Sequence, residues 1–148
     1  MAAADLRYEE IEVGMTRSFR RFIAEADVDT FAVLSGDQSP LHTDSQYAVS
    51  QTAYHKRLVH GMHLASLVSC LVGMHLPGFR SVCLAQQFDF LQPVYGDSEI
   101  EVMGTVASKN DAMRTIVLRT QISTSEGQAL VKGKAIVKVL DTQWTPGS

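Results

Sequence analysis

The sequence predicts an α+β domain in which an antiparallel sheet wraps one long apolar helix. Three observations predict it. Residues 58–74 contain no Asp, Glu, Lys or Arg and are apolar nearly all the way round a helix, the pattern of a helix buried in a core or a membrane. Four runs rich in Val, Ile, Leu, Phe and Thr follow in direct succession, and strands joined by short turns favour antiparallel pairing. The 148 residues are 45% hydrophobic and 20% charged, which suits one domain spanning residues 1–148 with an ordinary core. A single apolar helix is hidden on every side only if a sheet curls around it.

The elements follow in chain order. Residues 1–10 are read as irregular, with Gly14 marking a turn soon after. Thr16 to Ile23 alternates loosely and suits a first strand. Asp27 is expected to cap a short helix through Val28, Phe31, Ala32 and Leu34, whose apolar spacing is three to four. Glu25, Asp27 and Asp29 gather at its start, where the helix dipole favours negative charge. Gly36 stops it, and the polar turn Ser35–His42 follows, stiffened by Pro40. Asp44 or Ser45 caps a further short helix through Tyr47, Ala48 and Val49. A polar loop over residues 51–57 leads to the long helix, which Pro77-Gly78 closes. The strands are expected at Ser81–Phe90, Glu99–Ala107, Arg114–Ser123 and Ala129–Leu140, with a frayed tail over residues 142–148.

Several classes are excluded. The formal net charge of −3 provides no positive field for nucleic acid or anionic lipid. The apolar helix falls short of the roughly 20 residues a membrane span needs and carries His60 and His63. The N-terminus lacks the basic start and apolar stretch of a signal peptide. A cytoplasmic protein is expected. Cys70 and Cys83 lie in apolar runs and are read as buried free thiols.

The turn and the helix start hold the chemistry. Histidine is the side chain whose ordinary pKa lies near neutrality, so His42 suits a general base; Asp37 lies five residues earlier. From spacing alone, Asp37 reads as a turn former and His42 as a surface histidine. Gly61, Ala65, Ser69 and Gly73 form a ridge of small side chains on the helix, open to close approach by a backbone or a ligand. Unpaired N–H groups at the helix start favour developing negative charge, although Gly61 also suits close helix–sheet packing. Ser66 alone reads as a serine bonding to its own helix backbone. His60 and His63 lie one turn apart, but no acid or cysteine in the helix completes a zinc set, so no metal is expected. Lys56, Arg57 and Arg80 are read as scattered surface charge in preference to phosphate ligands.

Four stretches carry a resemblance: Phe31–His42, Val59-His60-Gly61-Met62 with Ala65-Ser66-Leu67, Leu76-Pro77-Gly78, and Phe88–Tyr95 with Gly96-Asp97. Together they resemble the MaoC-type acyl dehydratases, the (R)-specific enoyl-CoA hydratases of the hot-dog fold, over roughly residues 10–140. The resemblance implies reversible hydration of a trans-2-enoyl thioester to an (R)-3-hydroxyacyl thioester, without metal or redox cofactor. Coenzyme A or an acyl carrier protein is then part of the substrate, and dimers or dimers of dimers are expected. It implies Asp37 and His42 as the catalytic pair, Gly61 at the oxyanion site, Ser66 near the substrate and His60 bracing the loop. The family usually has Asn where this chain has Ser39, in the turn between acid and imidazole. Two other readings compete. A hot-dog thioesterase commonly places a carboxylate on or near the helix, and none lies between Leu58 and Phe79. A non-catalytic thioester-binding subunit has no need of both Asp37 and His42.

Overall fold

The computed structural model describes residues 2–142. A 3₁₀ turn at Tyr8–Glu10 precedes strand β1 (Thr16–Ile23). Helices α1 (Glu25–Ser35), α2 (Pro40–Thr43), α3 (Ser45–Gln51) and α4 (Gly61–Cys70) follow. A π-helical turn, Leu71–His75, extends α4. Strands β2 (Ser81–Phe90), β3 (Ser98–Asn110), β4 (Thr115–Thr124) and β5 (Ala129–Val139) complete the chain. All pairings are antiparallel, in the order β1-β3-β4-β5-β2. Expected and observed strands agree to within a few residues at each end. The frayed tail expected at 142–148 lies, beyond Thr142, outside the described residues.

The inner face of the sheet buries Ile100, Val102, Val106, Leu118, Ile122, Val131, Ala135 and Val137 against Leu64, Leu67, Val68, Leu71 and Val72 of the helix. At about 25 cal/mol per Å² of apolar surface removed from water, this contact is the main stabilising term. Gly104 makes room for the helix: a Cβ there would stand 2.7 Å from Leu71 Cδ2.

Four expectations need correction. The long helix begins at Gly61, because Leu58 forms an isolated bridge with Tyr95 and Val59 N–H donates to Val94 O, which keep that stretch extended. It is not hidden all round: Met62, Ser66 and Ser69 are exposed on one face, because one sheet curls round only the opposite side. Asp27 sits inside α1, not at its cap. It reaches back to accept the Ala24 N–H at 2.8 Å, which satisfies a donor the helix start leaves free. Cys70 and Cys83 are free thiols, but Cys83 is exposed, because β2 is an edge strand with little cover. The expectations for Asp44 and Gly36 hold. Asp44 Oδ1 accepts Tyr47 N–H at 3.0 Å, and Gly36 ends α1 at a φ of 78°.

Candidate active site

The left-handed turn at Gly36 swings the chain out of α1 and presents Asp37. Asp37 Oδ1 accepts the Ser39 N–H at 3.1 Å, and Ser35 Oγ accepts the Asp37 N–H at 3.2 Å. Ser39 therefore braces the turn through its backbone; its hydroxyl makes no capping bond to α2. Pro40 then starts the single turn of α2, where a missing N–H costs nothing, and His42 projects from that turn.

His42 Nδ1 lies 2.8 Å from the carbonyl oxygen of Leu58. A carbonyl only accepts, so Nδ1 carries the hydrogen, and in the neutral ring Nε2 holds a free lone pair. Leu58 also donates its N–H to Leu41 O at 3.1 Å, which ties the extended segment to α2 from both sides.

His60 is 2% exposed. Its Nε2 lies 3.0 Å from the Asp37 carbonyl oxygen, so it donates there and holds the Asp37 backbone in place. The His42 ring stacks on the His60 ring at 3.9 Å between centroids and 24° between planes. Phe31 of α1 packs against His60 at 5.0 Å and stacks on His63 at 5.0 Å and 7°. The ring nitrogens Nδ1 of His60 and His63 are buried and have no partner among the described residues. Burial pushes the His63 imidazole below its usual range.

One nitrogen from each of His42 and His60 and one Asp37 carboxylate oxygen all lie within 4.8 Å of one another. A single water bridges such a span with hydrogen bonds of about 2.8 Å. The donor set suits a proton relay better than a cation. His42 Nδ1 and His60 Nε2 already face carbonyls, and stacked rings keep their lone pairs in near-parallel planes, whereas a metal needs them to converge.

His42 opens onto a 360 Å³ cavity whose walls include Tyr54, Leu58, Gly61, Leu64 and Phe90. Gly61 and Met62 form the start of α4, where N–H groups have no carbonyl four residues back. The Phe90 ring covers Gly61, and a Cβ there would lie 3.0 Å from it. Close packing thus explains the glycine, while its backbone still borders the cavity. Ser66 lies elsewhere: it lines a second, 520 Å³ cavity with Phe31, Met62 and Ser69. Its hydroxyl donates to His63 O at 2.6 Å.

Three contributors are not visible in sequence reasoning: the Leu58 carbonyl, Phe31 and Arg57. Arg57 Nη1 lies 2.6 Å from Asp29 Oδ1, and Nη2 lies 3.5 Å from Glu25 Oε2. It thereby clamps the segment that holds His42 to the helix that leads to Asp37. The expectation of scattered charge fails for Arg57, whose side chain is only 12% exposed, and for Arg80, which pairs with Asp5.

These features define a hot-dog domain with a carboxylate–imidazole pair beside the tip of its central helix. The MaoC like domain model matches residues 8–128, and the chain belongs to that family. It is 37% identical over 131 residues to an (R)-specific enoyl-CoA hydratase of Aeromonas caviae, covering 88% of this chain and 97% of that protein. It is 33% identical to a 3-hydroxybutyryl-CoA dehydratase of Methylorubrum extorquens, covering 90% and 84% respectively. The solved structure of the A. caviae (R)-hydratase matches with a TM-score of 0.84 at 37% identity, covering 88% of this chain and 98% of that one. The unliganded R-hydratase of Pseudomonas aeruginosa matches with a TM-score of 0.87 at 29% identity, covering 99% and 97%.

Proposed function

We propose that this protein adds water reversibly across the double bond of a trans-2-enoyl-CoA to give the (R)-3-hydroxyacyl-CoA. The observation that carries this reading is the convergence of Asp37 and His42 within 4.8 Å, beside a helix start. Similarity to the named hydratases and dehydratase supports the reaction and its stereochemistry.

His42 Nε2 removes a proton from water as the oxygen attacks C3. Electron density moves to the thioester oxygen, which the N–H groups of Gly61 and Met62 stabilise. Asp37 orients the water and helps return a proton to C2. His60 keeps the Asp37 backbone and the His42 ring in register. Ser39 shapes the turn, and Ser66 lines the neighbouring cavity along α4, which is proposed to take part of the substrate. Acid, base and amide donors complete the reaction, so the proposal includes no metal or redox cofactor.

The partner proposed is a second copy, because β2 is an unpaired edge exposing Val82, Leu84 (55%) and Phe90 (51%), which favours strand-to-strand association. Among the described residues no helix is long and apolar enough to cross a membrane, and a cytoplasmic site of action is proposed.

The test is to incubate the purified protein with crotonyl-CoA and a medium-chain enoyl-CoA, following enoyl absorbance and free thiol. Hydration without thiol release is expected. Thiol release alone identifies a thioesterase, and no change with any enoyl thioester, including acyl carrier protein conjugates, identifies a binding subunit.

A further inference from the structure

The 360 Å³ cavity onto which His42 opens has a floor and a mouth. Leu58, Val59 and Leu64 are buried at its floor, beside His42 and Gly61. Tyr54 and Gln92 are exposed wall residues and stand at its mouth. They come from different segments, yet the two sides of the mouth are tied together. The ring of His55, next to Tyr54, packs on that of Tyr95 at 4.2 Å. Leu58 bridges to Tyr95, and Val59 N–H donates to Val94 O at 2.8 Å. Each side is also fixed by itself. Tyr54 N–H donates to Thr52 Oγ1 at 3.1 Å, and the N–H groups of Leu91 and Gln92 both donate to Leu130 O.

Among the described residues, the polar side chains that line this cavity are those of His42, Tyr54 and Gln92; its other walls are apolar side chains and the backbone of Gly61. His42 spends Nδ1 on the Leu58 carbonyl and keeps Nε2 for the reaction. Neither the Tyr54 hydroxyl nor the Gln92 side-chain amide has a partner among the described residues. In a ligand pocket a few placed polar groups on apolar walls fix orientation. Two unspent groups at the mouth therefore suit a ligand with a polar group just beyond its reacting end. A coenzyme A thioester has one there: after the sulfur and a short methylene spacer comes a secondary amide. A phenol donates to the C=O of that amide, and the Gln92 amide oxygen accepts its N–H. An aliphatic acyl chain offers neither residue a partner, so this mouth suits the carrier side of the thioester.

We infer that Tyr54 and Gln92 hold the carrier side of the substrate, by hydrogen bonds to the amide of the pantetheine arm nearest the sulfur. The inference rests on the hydratase reading and adds two specificity-determining residues to it. Each neutral hydrogen bond of this kind is worth about three- to tenfold in kcat/KM. The two residues read the arm itself and not the nucleotide beyond it.

The experiment varies the thiol and the residue together. Crotonyl thioesters of coenzyme A, of N-acetylcysteamine, which keeps that amide and drops the rest, and of pentanethiol, which has methylenes in its place, are compared in the unaltered chain, Tyr54→Phe and Gln92→Met. Tyr54→Phe keeps the ring, Gln92→Met keeps the chain length, and both positions are exposed, so the fold is retained; thermal melting confirms it. Each variant is expected to lower kcat/KM about three- to tenfold with the coenzyme A and N-acetylcysteamine thioesters. The pentanethiol thioester should stay within about twofold. Where that thioester turns over too slowly, its inhibition constant against crotonyl-CoA takes the place of kcat/KM. No loss in either variant, or equal loss with all three thiols, overturns the carrier assignment while hydration stands. Selective loss in one variant alone removes the other residue from it. An unaltered, folded protein that hydrates none of the three thioesters overturns the hydratase reading itself.

Discussion

The imidazole of His42 lies face to face with that of His60, 3.9 Å between ring centroids, and the same His60 holds the Asp37 carbonyl through Nε2. One buried ring thus sets the positions of both members of the pair. Replacing His60 with Phe keeps a stacking surface and removes the hydrogen bond. The expected result is a fall in kcat of about a hundredfold, the scale of a 1 Å misplacement, with KM changed much less. Steady-state kinetics on one enoyl-CoA checks it; an unchanged kcat would show that Asp37 needs no such anchor.

The two groups that share the span of 4.8 Å should act as a unit. Asp37→Asn and His42→Ala are each expected to lower kcat by about 10²–10⁴. The double variant should be little worse than the poorer single one. Multiplicative losses in the double variant would mean that the residues work independently. Far-UV circular dichroism controls for folding.

Arg57 joins the loop before α4 to Asp29 and Glu25 of α1. Its partners are half exposed, so solvent screening limits the stabilisation to about 1 kcal/mol. Arg57→Met is expected to lower urea-unfolding stability by that amount. It should lower kcat by about tenfold, because the Leu58 carbonyl loses its fixed place over His42. Lys reaches one carboxylate and not both, and so should restore only part of the rate. A stability change with no change in kcat would confine Arg57 to a structural role.

Burial lowers the pKa of His63 from its usual 6.5; Asp27 opposes that shift, and the His60 ring and Arg21 lie beside it. The unfolded chain therefore takes up this proton more readily than the folded one. Stability is fully present above about pH 6.5 and is lost as pH falls from there towards the lower folded pKa. Replacing His63 with Phe keeps a ring against Phe31 and should flatten that decline. Melting temperatures of both proteins from pH 7.5 down to about pH 5 measure it. Parallel curves would assign the acid sensitivity to other groups.

What was legible from residues alone was whatever repeats or terminates locally. The charge-free run after Arg57 identifies the central helix, and the alternation after Ser81 identifies the strands. Gly36 and Asp44 mark helix boundaries through their own backbone and side-chain chemistry. The Asp37–His42 turn was recognisable because both residues sit in one short motif. These features depend on neighbours within a few positions, and so the linear order contains them.

The rest depends on which distant segments meet. Leu58 holds His42 across sixteen residues, His60 holds Asp37 across twenty-three, and Arg57 reaches Asp29 across twenty-eight. No local pattern specifies such partners; they arise when the sheet closes on α4 and brings α1, α2 and the extended segment together. The same closure leaves the Met62–Ser66–Ser69 face of α4 uncovered, because a single curved sheet covers only one side of a helix. Apolar composition determined that this helix would be central, and only the packing around it decided that one side would border an open groove.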